Sequence, residues 1–200
     1  MLGLDQYLFR LGYSAGGEHL LPLMIFFTVV GSGWTMFALL PFLAWEQTRR
    51  WAFALTLTLL ATAVTVFVLK MAVGRIRPIF ALADVRPLYG SPTDFSFPSG
   101  HAAGSFTVAG FAWVLGREHA RLHSATARLT YFGCAVAFAM AAAIAYSRVY
   151  LGVHFPGDVL VGGVLGTIVG TLGASGYVSR ASRKRNERDE LAPDDVADAD

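Results

Sequence analysis

Three short polar clusters interrupt the long apolar runs of this chain. The first runs from Lys70 to Arg77-Pro78. The second is Phe97-Pro98-Ser99-Gly100-His101, and the third runs from Ser147-Arg148 through His154 to Asp158. Basic side chains at membrane depth are costly and mark function, although a lone Lys70 at the end of an apolar run could simply snorkel to an interface. Snorkelling accounts less well for Arg75, Arg77 and Arg148 gathering on one side, where an anion would explain them. Ser99-Gly100-His101 opens an apolar run, and the unpaired N–H groups of a helix start there suit a phosphate. Gly100 would let a ligand approach the backbone. The competing reading makes Ser99 a plain N-cap and His101 a wall residue. In the third cluster the i, i+4 spacing lets Asp158 reach His154 if a helix begins near Phe155. A carboxylate on one imidazole nitrogen fixes the tautomer and leaves the other nitrogen as base or nucleophile; alternatively, Asp158 only stabilises a helix N-terminus. Three fixed cations, two imidazoles and a carboxylate form an inventory for holding an oxyanion and performing acid–base or nucleophilic chemistry.

These clusters must be positioned by helices within a bilayer. Of 200 residues, 54% are apolar and only 15% charged, which excludes an ordinary soluble domain. The runs 20–45, 51–69, 129–146 and 159–178 contain no Asp, Glu, Lys or Arg, and 95–116 has only His101 as an ionisable side chain. Since a hydrocarbon core of ~30 Å needs about 20 helical residues, the expectation is an all-α polytopic transmembrane bundle of about five spans. Alternating ten-residue strands of a barrel are not seen. The run 20–45 contains Pro22 and Gly31-Ser32-Gly33, and reads either as one span or as a surface helix followed by a span from near Trp34. The predicted organisation is an N-terminal interfacial segment over 1–18, a transmembrane catalytic domain over 19–178, and a basic then acidic cytoplasmic tail over 179–200 that is expected to be disordered.

Charge in the connections sets the orientation. Arg49, Arg50, Arg117, Arg121, Arg128, Arg180, Arg183, Lys184, Arg185 and Arg188 fall on one side, which is expected to be cytoplasmic along with the C-terminus. All three polar clusters then fall on the opposite, non-cytoplasmic side of a cell membrane. Gly162, Gly166 and Gly170, four residues apart, read as internal close packing rather than a dimer seam. The single cysteine, Cys134, reads as a buried small hydrophobe. Asp5 and Arg10 break up the start of the chain, so no cleavable signal peptide is read there.

In order and spacing the three clusters resemble the signatures of the type-2 phosphatidic acid phosphatase (PAP2) superfamily, over roughly residues 28–178. The resemblance implies a core shared with vanadium haloperoxidases and a lipid phosphate or diphosphate substrate; bacterial members resembling this chain act on undecaprenyl diphosphate, phosphatidate or phosphatidylglycerol phosphate. It implies His154 as the nucleophile forming a phosphohistidine, Asp158 orienting it, and His101 protonating the leaving oxygen and then activating water. Lys70, Arg77, Ser99, the Gly100 backbone and Arg148 would hold the phosphoryl oxygens, with no metal or other cofactor and no nucleic-acid partner. Familiar membrane members have six spans, of which this chain is expected to lack the first. Undecaprenyl diphosphate is the preferred substrate, because an outward-facing site suits recycling of a lipid carrier. A lateral opening near Lys70 and Arg148 is expected to admit the lipid. A phosphotransferase passing the group to a lipid or sugar hydroxyl is the near alternative. An ion-coupled transporter is the remote one, since its site would lie nearer the midplane.

Overall fold

The computed structural model describes residues 2–13, 15 and 17–190, and among these every regular element is helical. In chain order the α-helices are α1 (Leu2–Gly12), α2 (Leu21–Val30), α3 (Leu40–Ala44), α4 (Arg49–Val73), α5 (Pro78–Ala81), α6 (Gly100–Leu122), α7 (Ala127–Tyr150) and α8 (Pro156–Glu190). α4, α7 and α8 are long and apolar enough to cross a membrane. α6, with 23 residues, is roughly 35 Å long at 1.5 Å per residue and packs against α4, α7 and α8.

The run 20–45 forms neither of the continuous spans its apolarity predicts. It folds as α2, a 3-10 segment over Gly33–Leu39, and α3. Gly31-Ser32-Gly33 ends α2, and Pro22 and Pro41 each occupy the first turn of a new helix, where the missing N–H costs nothing. At the other end, the expectation of an unstructured tail from residue 179 fails over its first part. α8 continues unbroken to Glu190, because 179–190 contains neither Gly nor Pro and is rich in Arg, Lys and Glu. The remainder of that expected tail, 191–200, lies outside the described residues.

The faces of α8 show how such a sequence folds in a membrane. Leu160, Val164, Ile168 and Leu172 stand outward at four-residue intervals, each more than half exposed. That surface suits lipid tails, against which a buried Leu gains little, so the inner face must be held by close packing instead. It is made of glycines. A Cβ on Gly162 would lie 2.6 Å from the Ser99 carbonyl oxygen, one on Gly166 2.1 Å from that of Ala103, and one on Gly170 2.3 Å from that of Thr107. The glycine repeat is thus an internal seam against the backbone of α6. Across the next interface, the Thr62 and Thr107 hydroxyls hydrogen-bond at 2.9 Å between α4 and α6.

Substituting Gly166→Ala should force α6 and α8 apart, because the obstacle is backbone that cannot rotate away. A loss of about 1–3 kcal/mol is expected, read as an earlier thermal unfolding transition in detergent. An unchanged transition would show the seam to be compliant.

Candidate active site

Helix ends, more than loops, bring the polar clusters together. α4 and α7 deliver Lys70 and Arg148 in their last turns, while α6 and α8 present Ser99 and Asp158 at their starts. α4 is terminated by Gly74, whose left-handed φ of 62° lets its N–H close on the Lys70 carbonyl at 3.0 Å. Arg75 and Arg77 stand in the segment between α4 and α5, with Arg77 at the N-cap of α5. Between α7 and α8, the backbone N–H groups of Val153 and His154 donate to the Arg148 carbonyl at 3.1 and 3.2 Å. The Ser99 N–H donates to the Asp158 carbonyl at 3.0 Å, so the starts of α6 and α8 are tied directly.

At the centre lies His154, 2% exposed. Arg77 Nη1 lies 3.0 Å from Nε2. A guanidinium can only donate, so Nε2 is the acceptor and the ring proton of the neutral imidazole sits on Nδ1. Nδ1 faces the Asp158 carboxylate at 3.6 Å, an ion-pair distance but longer than a direct hydrogen bond. The Ser96 hydroxyl bridges the gap: it stands 3.4 Å from Nδ1 and donates a short hydrogen bond to Asp158 Oδ2. Asp158 Oδ2 also accepts from the Phe155 N–H at 2.9 Å, and Oδ1 from Arg75 Nη1 at 2.6 Å. Burial, opposed by Asp158 and aided by the charges of Arg77 and Arg148, pushes the His154 imidazole down to about 4.

Arg77 stands on the Nε2 side, and Lys70 and Arg148 lie within electrostatic reach of Arg77. Arg77, 3% exposed, donates to the Val153 carbonyl at 2.8 Å, to the Asp94 carbonyl at 2.8 Å and to Asp94 Oδ1 at 2.7 Å. Lys70 Nζ donates to Asp94 Oδ2 at 2.6 Å. Partial burial works to raise the Asp94 pKa, but the hydrogen bonds and charges of Lys70 and Arg77 outweigh it and hold that carboxyl at about 2. Arg148 is buried; its Nη1 donates to the Thr28 hydroxyl of α2, and its Nε has no partner. His101, partly buried one residue past the start of α6, lies within electrostatic reach of Lys70, Arg77, Arg148 and His154. Ser99 is fully buried and its hydroxyl accepts from the Ala102 N–H at 3.4 Å, which makes it the N-cap. Gly100 is exposed, and a Cβ there would meet only Val66 at 3.7 Å.

The eight residues singled out in the sequence therefore converge on one end of the bundle, while four partners were not foreseen there. Ser96, Asp94 and Asp5 are polar residues in a loop and an N-terminal helix, with no spacing that links them to the motifs. Arg75 stood among the clustered cations, yet nothing in its position indicated Asp158 as its partner. Among the described residues no cluster of three His, Cys, Asp or Glu side chains is placed to hold a metal ion. A groove of about 1280 Å³ with mostly apolar walls opens beside the site, between α1, α6, α7 and α8. Its polar end is at Asp5, Arg75 and Gly157, not at Lys70 and Arg148, where the lateral opening was expected.

Fold and site together define a multi-pass helical membrane protein with a buried, cation-lined histidine centre. The family model described as PAP2 superfamily matches residues 51–181, and the chain belongs to that family. It is 35% identical over 176 residues to the decaprenylphosphoryl-5-phosphoribose phosphatase of Mycobacterium tuberculosis, covering 87% of this chain and 82% of that protein. It is 30% identical over 138 residues to an undecaprenyl-diphosphatase of Sulfolobus acidocaldarius, covering 65% of this chain but only 57% of that protein. Among solved structures, Aquifex aeolicus LpxE superimposes with a TM-score of 0.68 at 34% identity, over 86% of this chain and 95% of that one. The PAP2-type phosphatidylglycerolphosphate phosphatase of Bacillus subtilis reaches 0.72 at 23% identity, over 90% and 86%, a likeness of fold.

Proposed function

We propose that this protein is a membrane lipid phosphatase that transfers the phosphoryl group to His154 and then to water, without a metal ion. The partnerless Nε of the buried Arg148 carries this reading. An unpaired guanidinium N–H in a low-dielectric interior is costly, and a phosphoryl oxygen on the Lys70–Arg77 side of His154 would satisfy it. Lys70, Arg77 and Arg148 neutralise the equatorial oxygens as the transition state forms, and the start of α6 at Gly100, held by the Ser99 cap, adds backbone N–H groups. The Nε2 lone pair of His154 attacks phosphorus in line as Arg77 shifts onto a phosphoryl oxygen. Asp158, with Ser96, stabilises the charge that develops on the imidazole. His101 donates a proton to the departing oxygen and later takes one from the attacking water.

Substrate choice is the finer part of the proposal. Two relatives above are named for polyprenyl-linked phosphates, and the apolar groove suits a hydrocarbon chain, so undecaprenyl diphosphate remains the preferred substrate. The site would face the non-cytoplasmic side, with the C-terminus cytoplasmic, as the arginine-rich opposite end suggests. Phosphate release should be measured on undecaprenyl diphosphate, decaprenylphosphoryl phosphoribose, phosphatidate and phosphatidylglycerol phosphate, with and without chelator. Turnover of at least one lipid that survives chelation is expected. Loss of all turnover on chelation, restored by a single divalent metal, would sink the metal-free mechanism. Transfer to an added alcohol in place of phosphate release would make the protein a phosphotransferase.

The state of His154 predicts an unusual pH profile. Because its folded value is depressed to about 4, the ring is neutral and nucleophilic throughout the range where an ordinary histidine, near 6.5, would protonate. After correction for the substrate's own titration, the acid limb of kcat/KM, which reports His154, should lie near the lower value, whereas any alkaline limb reports loss of the proton that His101 donates. An acid limb centred on the ordinary value would show a solvated imidazole.

Asp94 engages the two cations that phosphate needs, so substrate must displace it. Asp94→Asn should tighten orthovanadate binding several-fold by removing a competing anion. Weaker binding would mean instead that Asp94 is needed to aim Lys70 and Arg77.

A further inference from the structure

The hydrogen-bond network continues past the His154–Asp158 pair into a helix that the family match does not include. Asp5 of α1 makes two contacts. Its Oδ2 pairs with Arg75 Nη2 at 2.5 Å, and its Oδ1 accepts from the Gly157 N–H at 2.8 Å, in the first turn of α8. The other nitrogen of Arg75, Nη1, holds Asp158 at 2.6 Å, and the guanidinium lies 4.3 Å over the Phe155 ring. Gly157 accommodates this approach: a Cβ there would come within 3.1 Å of Asp5 Oδ2. Arg75 is 21% exposed and Asp5 17%, so the row of charges is only partly screened.

We propose that Asp5 is a positioning residue for the nucleophile, acting through Arg75 on the carboxylate that faces His154. The inference rests on the phosphohistidine reading above. The charges alternate along the row: Asp5 negative, Arg75 positive, Asp158 negative, then the imidazole. Alone, Arg75 would draw on Asp158 and weaken its support for the positive charge that grows on His154 during attack. Asp5 balances that pull and divides the guanidinium, so that one nitrogen faces each carboxylate. By also holding the Gly157 N–H, it fixes the start of α8 from which Asp158 projects.

The signs of the expected effects separate this role from simple anchoring of α1. His154 is faced by Asp158 from α8, Arg148 from α7, Arg77 from the segment after α4, Ser96 from the loop before α6, and by His101 from α6. Those groups stay constant when only Asp5 or Arg75 is changed. Asp5→Asn keeps the shape and the acceptor for Gly157 but removes a negative charge, so His154 should titrate lower. Arg75→Met removes a positive charge, so it should titrate higher. Shifts of roughly half a unit to one unit are expected, and the double variant should return towards the wild-type value.

The test is an NMR titration of ring-labelled histidine in the full-length chain in detergent, with the His154 signal assigned by His154→Gln. Hydrolysis of the best lipid in the panel is measured alongside. Opposed shifts, with kcat for Asp5→Asn lower by on the order of tenfold and KM unchanged, are the expected result. Phe9→Ala, which loosens α1 at its buried contact with Phe155, should lower the unfolding temperature without moving the titration. An unmoved titration in Asp5→Asn, or a shift matched by Phe9→Ala, overturns the inference while lipid hydrolysis by the wild type stands. A wild type that hydrolyses no lipid phosphate overturns the function on which it rests, and the inference with it.

Discussion

Replacing His154 by Ala is expected to reduce lipid phosphate hydrolysis by on the order of 10⁵-fold, the scale seen when a nucleophile is removed from an otherwise intact site. The ring is 2% exposed and has Arg77 on one nitrogen and the Ser96–Asp158 pair on the other. The side chains that touch the ring cannot take over its lone pair: Arg77 is a donor only, and Asp158 faces the opposite nitrogen. The variant should also fail to retain label when incubated with a radiolabelled lipid phosphate and quenched in alkaline detergent, in which a phosphohistidine survives, whereas His101→Ala should still label and release phosphate slowly. Truncating a buried ring leaves a cavity, so unfolding of the variant must be monitored alongside. Persistent labelling in folded His154→Ala would reject the phosphohistidine, as would activity within tenfold of the wild type.

Arg77→Lys should cost about 10³-fold in kcat/KM although the charge is kept. Three nitrogens of Arg77 reach four acceptors: the Asp94 carbonyl, Asp94 Oδ1, the Val153 carbonyl and His154 Nε2. That pattern needs a planar fork, and a lysine ammonium is a point charge on a flexible stem. Lysine would leave at least one buried carbonyl unpaired and could not span from the loop at Asp94 to the ring of His154. Arginines that stabilise phosphoryl-transfer transition states are worth 10³ to 10⁵ in rate, so a lysine variant retaining a tenth or more of the activity would show that Arg77 acts only as a diffuse charge.

The residues behind both predictions were legible in the sequence because they stand at helix ends, where a charge beside an apolar run is conspicuous. Lys70, Arg148, His154 and Asp158 are of this kind, as is the run Ser99-Gly100-His101. Their partners were hidden for a physical reason. Asp94 and Ser96 sit in a loop whose path depends on tertiary contacts, and Asp5 meets Gly157 across 152 residues of chain. A carboxylate of that sort has no local pattern, and looks the same whether it faces solvent or clamps an arginine. The same limit explains residues 20–45: apolarity foretold a membrane location, but Gly31-Ser32-Gly33 and Pro41 decided that the path is broken. The short α2 that results places Thr28 against Arg148, a service that a plain span count would not reveal.

The glycine seam between α6 and α8 bears on how such a protein can diversify. Ser99 and Asp158 are joined backbone to backbone, and Gly162, Gly166 and Gly170 have no room for a side chain of their own against the backbone of α6. The reacting geometry is thereby insulated from changes elsewhere in the bundle. The outward faces of α4 and α8, with Leu160, Val164, Ile168 and Leu172 on α8, lie outside that junction. Mutations there can drift or be selected for a new lipid tail while the chemical machinery is inherited unchanged, so one reaction can be re-targeted by altering only the surface that meets the bilayer.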